Sequence, residues 1–188
     1  MLDRLRGKLG DATLKLGAGA SRVIPSPTAW TTIGFLFSIL SGYAYSLSAA
    51  WQPTAGLLLL VSGFLDIVDG AVARSSSKVT KKGSFLDSTL DRVGEVAVFL
   101  GLILGGHAPP ALVLLAIALS LLVSYTRAKA DSLGVSLAGV GVGERSERIV
   151  VLALSSLLGL VYFGIIAVLV LAAVTFVERI YRVSASLH

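Results

Sequence analysis

Leu65-Asp66-Ile67-Val68-Asp69-Gly70-Ala71-Val72-Ala73-Arg74, then eight residues, then Gly83-Ser84-Phe85-Leu86-Asp87-Ser88-Thr89-Leu90-Asp91, places four carboxylates at the ends of two long apolar runs. An ionised carboxylate turned towards hydrocarbon is costly enough that such residues are by default functional, paired or metal-bound. On helices, the spacing of three from Asp66 to Asp69 and of four from Asp87 to Asp91 puts each pair on one face. Gly83 shares the face of Asp87 and Asp91. Two short acidic stripes on consecutive helices can therefore face each other, and four carboxylates that converge need a shared cation.

Composition decides what surrounds that pair. Of 188 residues, 55% are hydrophobic and only 14% charged, whereas soluble domains are about a quarter charged. Mean hydropathy is +0.86. A polytopic, all-α integral membrane protein is expected. Cysteine is absent, which excludes a disulfide scaffold, thiol chemistry and thiolate zinc sites. His107 and His188 are too few and too far apart for an imidazole metal site. The cation must then be a hard one held by oxygen, which means magnesium, manganese or calcium.

Apolar runs between charged or turn-forming stretches predict six transmembrane helices at 28–47, 53–74, 83–105, 109–129, 146–161 and 164–180, each near the ~20 residues that span a bilayer. Gly159 and Gly164, with Tyr162 and Phe163 between them, suit a tight reversal joining the last two. The first twenty residues are charged and lack an uninterrupted apolar core, so they do not read as a cleavable signal peptide. Leu2, Leu5, Leu9 and Leu16 set against Asp3, Arg4, Arg6, Lys8, Asp11 and Lys15 predict an amphipathic helix lying along the membrane surface. The expected organisation is a juxtamembrane segment, 1–22, and a single six-helix domain, 23–188.

Charge sets the orientation. The loops at 49–52, 105–109 and 160–164 carry no Lys or Arg, and all 16 basic residues fall on the other side or in the helix ends entering it. That is the positive-inside pattern with both termini cytoplasmic. The 11 acidic residues share that side, so a polar pocket in the cytoplasmic half of the cell membrane is expected. Small residues recur on the second and third spans, at Gly56, Gly63 and Gly70 and at Gly101 and Gly105, where they let helices approach closely.

Two chemistries suit an aspartate cluster in a membrane: ion transport, and metal-assisted handling of a diphosphate. Arg74, Lys78, Lys81 and Lys82 join the two acidic helices, and Arg127, Lys129, Arg145 and Arg148 form a second basic set. Divalent ions would bridge phosphates to the aspartates while the cations take the remaining charge; a simple cation transporter has little use for that rim. Gly70 and Ala73 follow Asp66 and Asp69 by four residues each, and their lack of bulk leaves room for a flat ligand such as a nucleobase or ribose. No nucleic-acid partner is expected.

The frame Asp66-x-x-Asp69-Gly70-x-x-Ala73-Arg74-x8-Gly83-x-x-x-Asp87-x-x-x-Asp91 resembles the signature of the CDP-alcohol phosphotransferase family at all eight fixed positions. The resemblance implies a homodimeric membrane enzyme that transfers a phosphatidyl-type group from a CDP-linked lipid to an alcohol and releases CMP. By that resemblance, Asp66, Asp69 and Asp87 hold two divalent ions, Mg2+ or Mn2+, and Asp91 is both a further metal-site residue and the general base. Asp69, Gly70, Ala73, Arg74 and Gly83 line the nucleotide site, with Thr80, Lys78 and Lys81 as further contacts. A carboxylate beside the acceptor hydroxyl takes its proton as it attacks the lipid-linked phosphate.

The acceptor is read from the second basic set. Ser124-Tyr125-Thr126-Arg127-Ala128-Lys129-Ala130-Asp131, followed by Gly143-Glu144-Arg145-Ser146-Glu147-Arg148, resembles the inositol-phosphate-using branch of that family. Arg127, Lys129, Arg145 and Arg148 would make a pocket for a phosphate dianion, which an already phosphorylated polyol such as inositol 1-phosphate needs; ethanolamine or choline would prefer aromatics and carboxylates. Positive-inside topology alone also collects cations there. Serine and glycerol 3-phosphate remain alternative acceptors, and the lipid, diacyl or archaeal ether, is left open. The rival readings are a prenyltransferase, disfavoured by the close spacing of the acidic motifs, and a small cation transporter or membrane scaffold.

Overall fold

The computed structural model describes the backbone of residues 2–76 and 78–187, and side chains from Thr13 onward within them. Every regular element among them is helical: α1 (Leu2–Val23), α2 (Pro27–Leu47), a short 3-10 turn (Ala49–Trp51), α3 (Gln52–Ser75), α4 (Lys81–Leu104), α5 (Pro110–Ser132), α6 (Arg145–Leu157) and α7 (Val161–Ser186). The amphipathic reading of α1 rests mostly on Leu2, Asp3, Arg4, Leu5, Arg6, Lys8, Leu9 and Asp11, whose side chains lie outside the described residues, as does His188. Of its other members, Leu16 is half-buried and Lys15 exposed.

Local chemistry sets the helix ends. Pro25 and Pro27 flank Ser26, which caps α2 by accepting from the Ala29 amide, and there the chain turns by 92° between α1 and α2. Proline fixes φ and has no amide to donate, so it suits the first turn of a new helix and ends the old one. Pro110 opens α5 in the same way. Thr80 caps α4 through the Gly83 amide at 3.0 Å.

α2 lies between α3 and α4, α5 pairs with α7, and α6 packs on α3 and α7. A Cβ on Gly101 would run into the Gly42 carbonyl, and one on Gly42 would meet the Ala97 carbonyl, so the α2 and α4 backbones touch. Ser38 and Ser62 share a 2.7 Å hydrogen bond, and Tyr45 and Ser156 one of 2.6 Å. In lipid, close backbone approach and interhelical hydrogen bonds of this kind replace the hydrophobic drive that water supplies. Tyr45, Leu59, Val98, Leu102, Leu152 and Ile165 fill the core.

Three helical stretches among the described residues are long and apolar enough to cross a membrane: Ala49–Ser75, Pro110–Ser132 and Val161–Ser186. The bent pair Thr13–Val23 and Pro27–Leu47 makes a fourth if it is one span. Helices form at all six expected places, as α2 to α7, but α2 is long and apolar enough only when joined to α1, and α4 and α6 also differ from simple spans. α4 carries Asp87, Asp91, Arg92 and Glu95. α6 has only 13 residues, about 20 Å at 1.5 Å per residue. The reversal after it falls at residues 158–160, with Gly159 at φ +70°. Gly164, expected in that turn, is buried within α7, where a Cβ would strike Ser155.

Candidate active site

The ends of α3 and α4 bring the acidic stripes together. Asp66, Asp69 and Asp87 each offer a carboxylate oxygen within 4.8 Å of the others. Three anions so close repel strongly in a medium of low dielectric, which a divalent cation would relieve. Asp87 Oδ1 is buried with no hydrogen-bond partner, and all the donors are hard oxygens, so the set fits Mg2+ or Mn2+. Asp69 is oriented by Thr31, whose hydroxyl donates to its Oδ2 at 2.7 Å.

Asp91 stands outside that trio. Its Oδ1 lies 2.9 Å from Arg145 Nη2 and its Oδ2 3.2 Å from Arg92 Nη1. Arg145 also reaches Asp66 at 3.3 Å, so one guanidinium bridges a carboxylate of α3 to one of α4.

A cavity opens on each side of the cluster. The first, about 770 Å³, includes Asp69, Gly70, Ala73, Arg74, Thr80, Gly83 and Asp87 in its walls. With Lys78, they include every residue expected at a nucleotide except Lys81, which lies at the start of α4 and borders a separate surface cleft with Phe85 and Ser88. Thr28, Thr31 and Lys78 of the same wall come from α2 and from the loop before α4; Lys78 is tethered to the Pro25 carbonyl at 2.9 Å. The second cavity, about 820 Å³, is bounded by Asp66, Asp91, Arg127, Glu144, Arg145 and Arg179 among others. The four aspartates therefore form the partition, two facing each cavity.

The second basic set divides. Arg127 and Arg145 line the second cavity. Lys129 is exposed and not among that cavity's lining residues, because it lies two residues past Arg127 on α5 and so points away. Arg148 borders the cavity but is engaged elsewhere: it is 2% exposed, donates to Glu95 Oε1 at 3.3 and 2.9 Å, and donates to the Gly143 carbonyl at 2.7 Å. Its first partner is thus a buried carboxylate.

Thr31, Glu95, Glu144 and Arg179 were not singled out from the sequence. Glu144 Oε1 accepts from Arg127 at 3.5 Å and from Arg179 at 3.1 Å, while Arg179 also donates to the Val140 and Val123 carbonyls. Glu95 could have been found, since it continues the spacing of four from Asp87 and Asp91. Arg179 signalled only its place at the end of the charge-free run 149–177. Thr31 left no signal, because its partner is 38 residues away.

Fold and site together define a helical membrane protein in which an acidic cluster suited to a divalent cation divides two polar cavities. The chain belongs to the CDP-alcohol phosphatidyltransferase family, whose model matches residues 25–180. It is 36% identical to the archaetidylinositol phosphate synthase of Pyrococcus horikoshii, over 100% of this chain and 99% of the relative. Its fold is that of the phosphatidylinositol phosphate synthase of Mycobacterium tuberculosis. The structure of that protein with CDP-DAG bound superposes with a TM-score of 0.77 at 24% identity, covering 91% of this chain and 92% of the other. The same protein in complex with manganese and citrate gives 0.78 at 24% identity, over 91% and 88%.

Proposed function

We propose that the protein transfers the phosphatidyl-type group of a CDP-linked lipid to inositol 1-phosphate and releases CMP. The observation that carries this reading is the partition of two cavities by one acidic cluster, the first lined as a nucleotide requires and the second rimmed with guanidinium groups. The names of the Pyrococcus and Mycobacterium relatives support a phosphorylated inositol acceptor, and the former supports an archaeal ether lipid as donor.

In this reading Asp69, Gly70, Ala73, Arg74, Thr80 and Gly83 hold the cytidine diphosphate. Asp66, Asp69 and Asp87, with Asp91 beside them, hold two Mg2+ or Mn2+ ions, which when bound neutralise the diphosphate and stabilise the leaving CMP. Arg127 and Arg145 face the acceptor phosphate, with Arg179 beneath them, and leave the acceptor hydroxyl directed at the partition. Asp91 takes its proton as the oxygen attacks the lipid-linked phosphorus. The bond from that phosphorus to the CMP oxygen breaks, and CMP leaves with the electron pair.

The same reading takes α2 to α7 as six spans, α1 as a surface helix, and residues 23–188 as one domain. It places both termini and the site on the cytoplasmic side of the cell membrane, following the charge asymmetry of the loops, and takes the enzyme as a homodimer.

The test incubates purified protein with Mg2+ and either CDP-archaeol or CDP-diacylglycerol, offers inositol 1-phosphate, free inositol, serine or glycerol 3-phosphate, and measures CMP. CMP only with inositol 1-phosphate is the expected outcome. Preference for glycerol 3-phosphate or serine reassigns the acceptor, and no CMP with any acceptor removes the transferase in favour of a cation-binding protein.

A further inference from the structure

α4 presents Asp91 and Glu95, one helical turn apart, to Arg145 and Arg148, which are three residues apart on α6. Arg145 pairs with Asp91 at 2.9 Å at the partition, and Arg148 pairs with Glu95 at 2.9 Å one turn further along α4. The two pairs form a ladder between helices. The Arg145 rung remains part-exposed, at 14% and 16% for its two side chains; the Arg148 rung is closed, at 2% and 5%.

The closed rung is linked to the open one through the start of α6. α6 packs chiefly on α3 and α7, so its polar tie to α4 runs through these two pairs. Arg148 also donates to the Gly143 carbonyl, and the Gly143 amide donates to Thr175 on α7 at 2.8 Å. Glu95 therefore anchors, through one guanidinium, both the first turn of α6 and the residue two before Arg145. Glu95 and Arg145 also line a shared cavity of about 20 Å³, and Glu95 Oε2 and Arg145 Nε are both buried without a hydrogen-bond partner. That volume admits about one water molecule.

We infer that Glu95 is a positioning residue for the transfer: its pair with Arg148 fixes α6 so that Arg145 spans Asp66 and Asp91 and meets the acceptor phosphate. The inference rests on the proposed transfer reading but acts at a group remote from the nucleotide. Breaking one side of a closed ion pair leaves an uncompensated charge, which the structure moves to relieve. The displacement should reach Arg145 before it reaches the nucleotide cavity.

Glu95→Gln is therefore expected to raise KM for inositol 1-phosphate at least tenfold while the Kd for CDP stays within twofold. In Arg145→Ala the same Glu95→Gln change should have little further effect on that KM, because its route of action is already gone. Equal losses in acceptor and CDP binding, or additive effects in the double variant, would overturn the inference. If Glu95→Gln does not fold, Glu95→Asp, which keeps the charge and shortens the reach, carries the same expectation.

A readout independent of turnover uses the absence of cysteine. Spin labels at Val96→Cys on α4 and Val150→Cys on α6, both at exposed positions, report the distance between the helices. A narrow distribution that broadens or shifts in Glu95→Gln supports the inference, and an unchanged one sinks it. Should the wild type release no CMP with any acceptor, the transfer reading fails and the label distance still decides the role of Glu95.

Discussion

Thr31 on α2 donates a 2.7 Å hydrogen bond to Oδ2 of Asp69 on α3, so a residue outside the acidic frame orients one of its carboxylates. A carboxylate oxygen keeps lone pairs for a cation after accepting one hydrogen bond. Loss of such an outer partner typically costs about 10–100-fold in metal affinity. Thr31→Val is accordingly expected to weaken Mn2+ binding by at least ~10-fold, measured by titrating free Mn2+ with paramagnetic resonance. Binding curves that superimpose would remove Thr31 from the site.

Chelation should silence CMP release, and added Mg2+ or Mn2+ should restore it, because the trio offers only carboxylate oxygens within 4.8 Å. Asp87→Asn should lose activity that no excess of metal recovers. Full turnover in the presence of chelator would show that the cluster holds no catalytic ion.

Arg127 borders the second cavity with its side chain 47% exposed, free enough to turn from Glu144 to a phosphate. A charge-assisted hydrogen bond is worth about 1.5–3 kcal/mol, and every 1.4 kcal/mol is tenfold in affinity. Arg127→Ala should therefore raise KM for inositol 1-phosphate about tenfold or more and leave that for the CDP-lipid within twofold. Parallel increases in both constants would move Arg127 out of the acceptor pocket.

Gly101→Ala places a methyl group against the Gly42 carbonyl. Overpacking of this kind costs about 1–3 kcal/mol, so the thermal midpoint in detergent should fall by several degrees. Gly63→Ala serves as the comparison, since its Cβ would meet only the Ile149 methyl, at 3.2 Å. Equal midpoints for the two variants would contradict the close approach of α2 and α4.

Much of this was legible in the chain. The helix spacing of Asp66, Asp69, Asp87 and Asp91 identified the two stripes, and Gly70, Ala73, Arg74, Thr80 and Gly83 all border one cavity. The cations of the second basic set were harder to assign. Arg145 and Arg148 are both basic and near one helix start, yet one reaches Asp66 and Asp91 while the other is enclosed with Glu95. Nothing local distinguishes them. The turn between α6 and α7 falls a few residues before the expected one because Gly159 and Gly164 look alike in sequence, while only Gly159 has a positive φ.

Helices, membrane class and the acidic stripes can be read from the chain alone, because hydrophobic runs and helical periodicity act over a few residues. Which arginine faces which carboxylate, and that Thr31 holds Asp69, follow from the three-dimensional packing. Those partners lie 38 to 79 residues apart along the chain, so only the packing of α2, α3, α4 and α6 brings them within reach of one another.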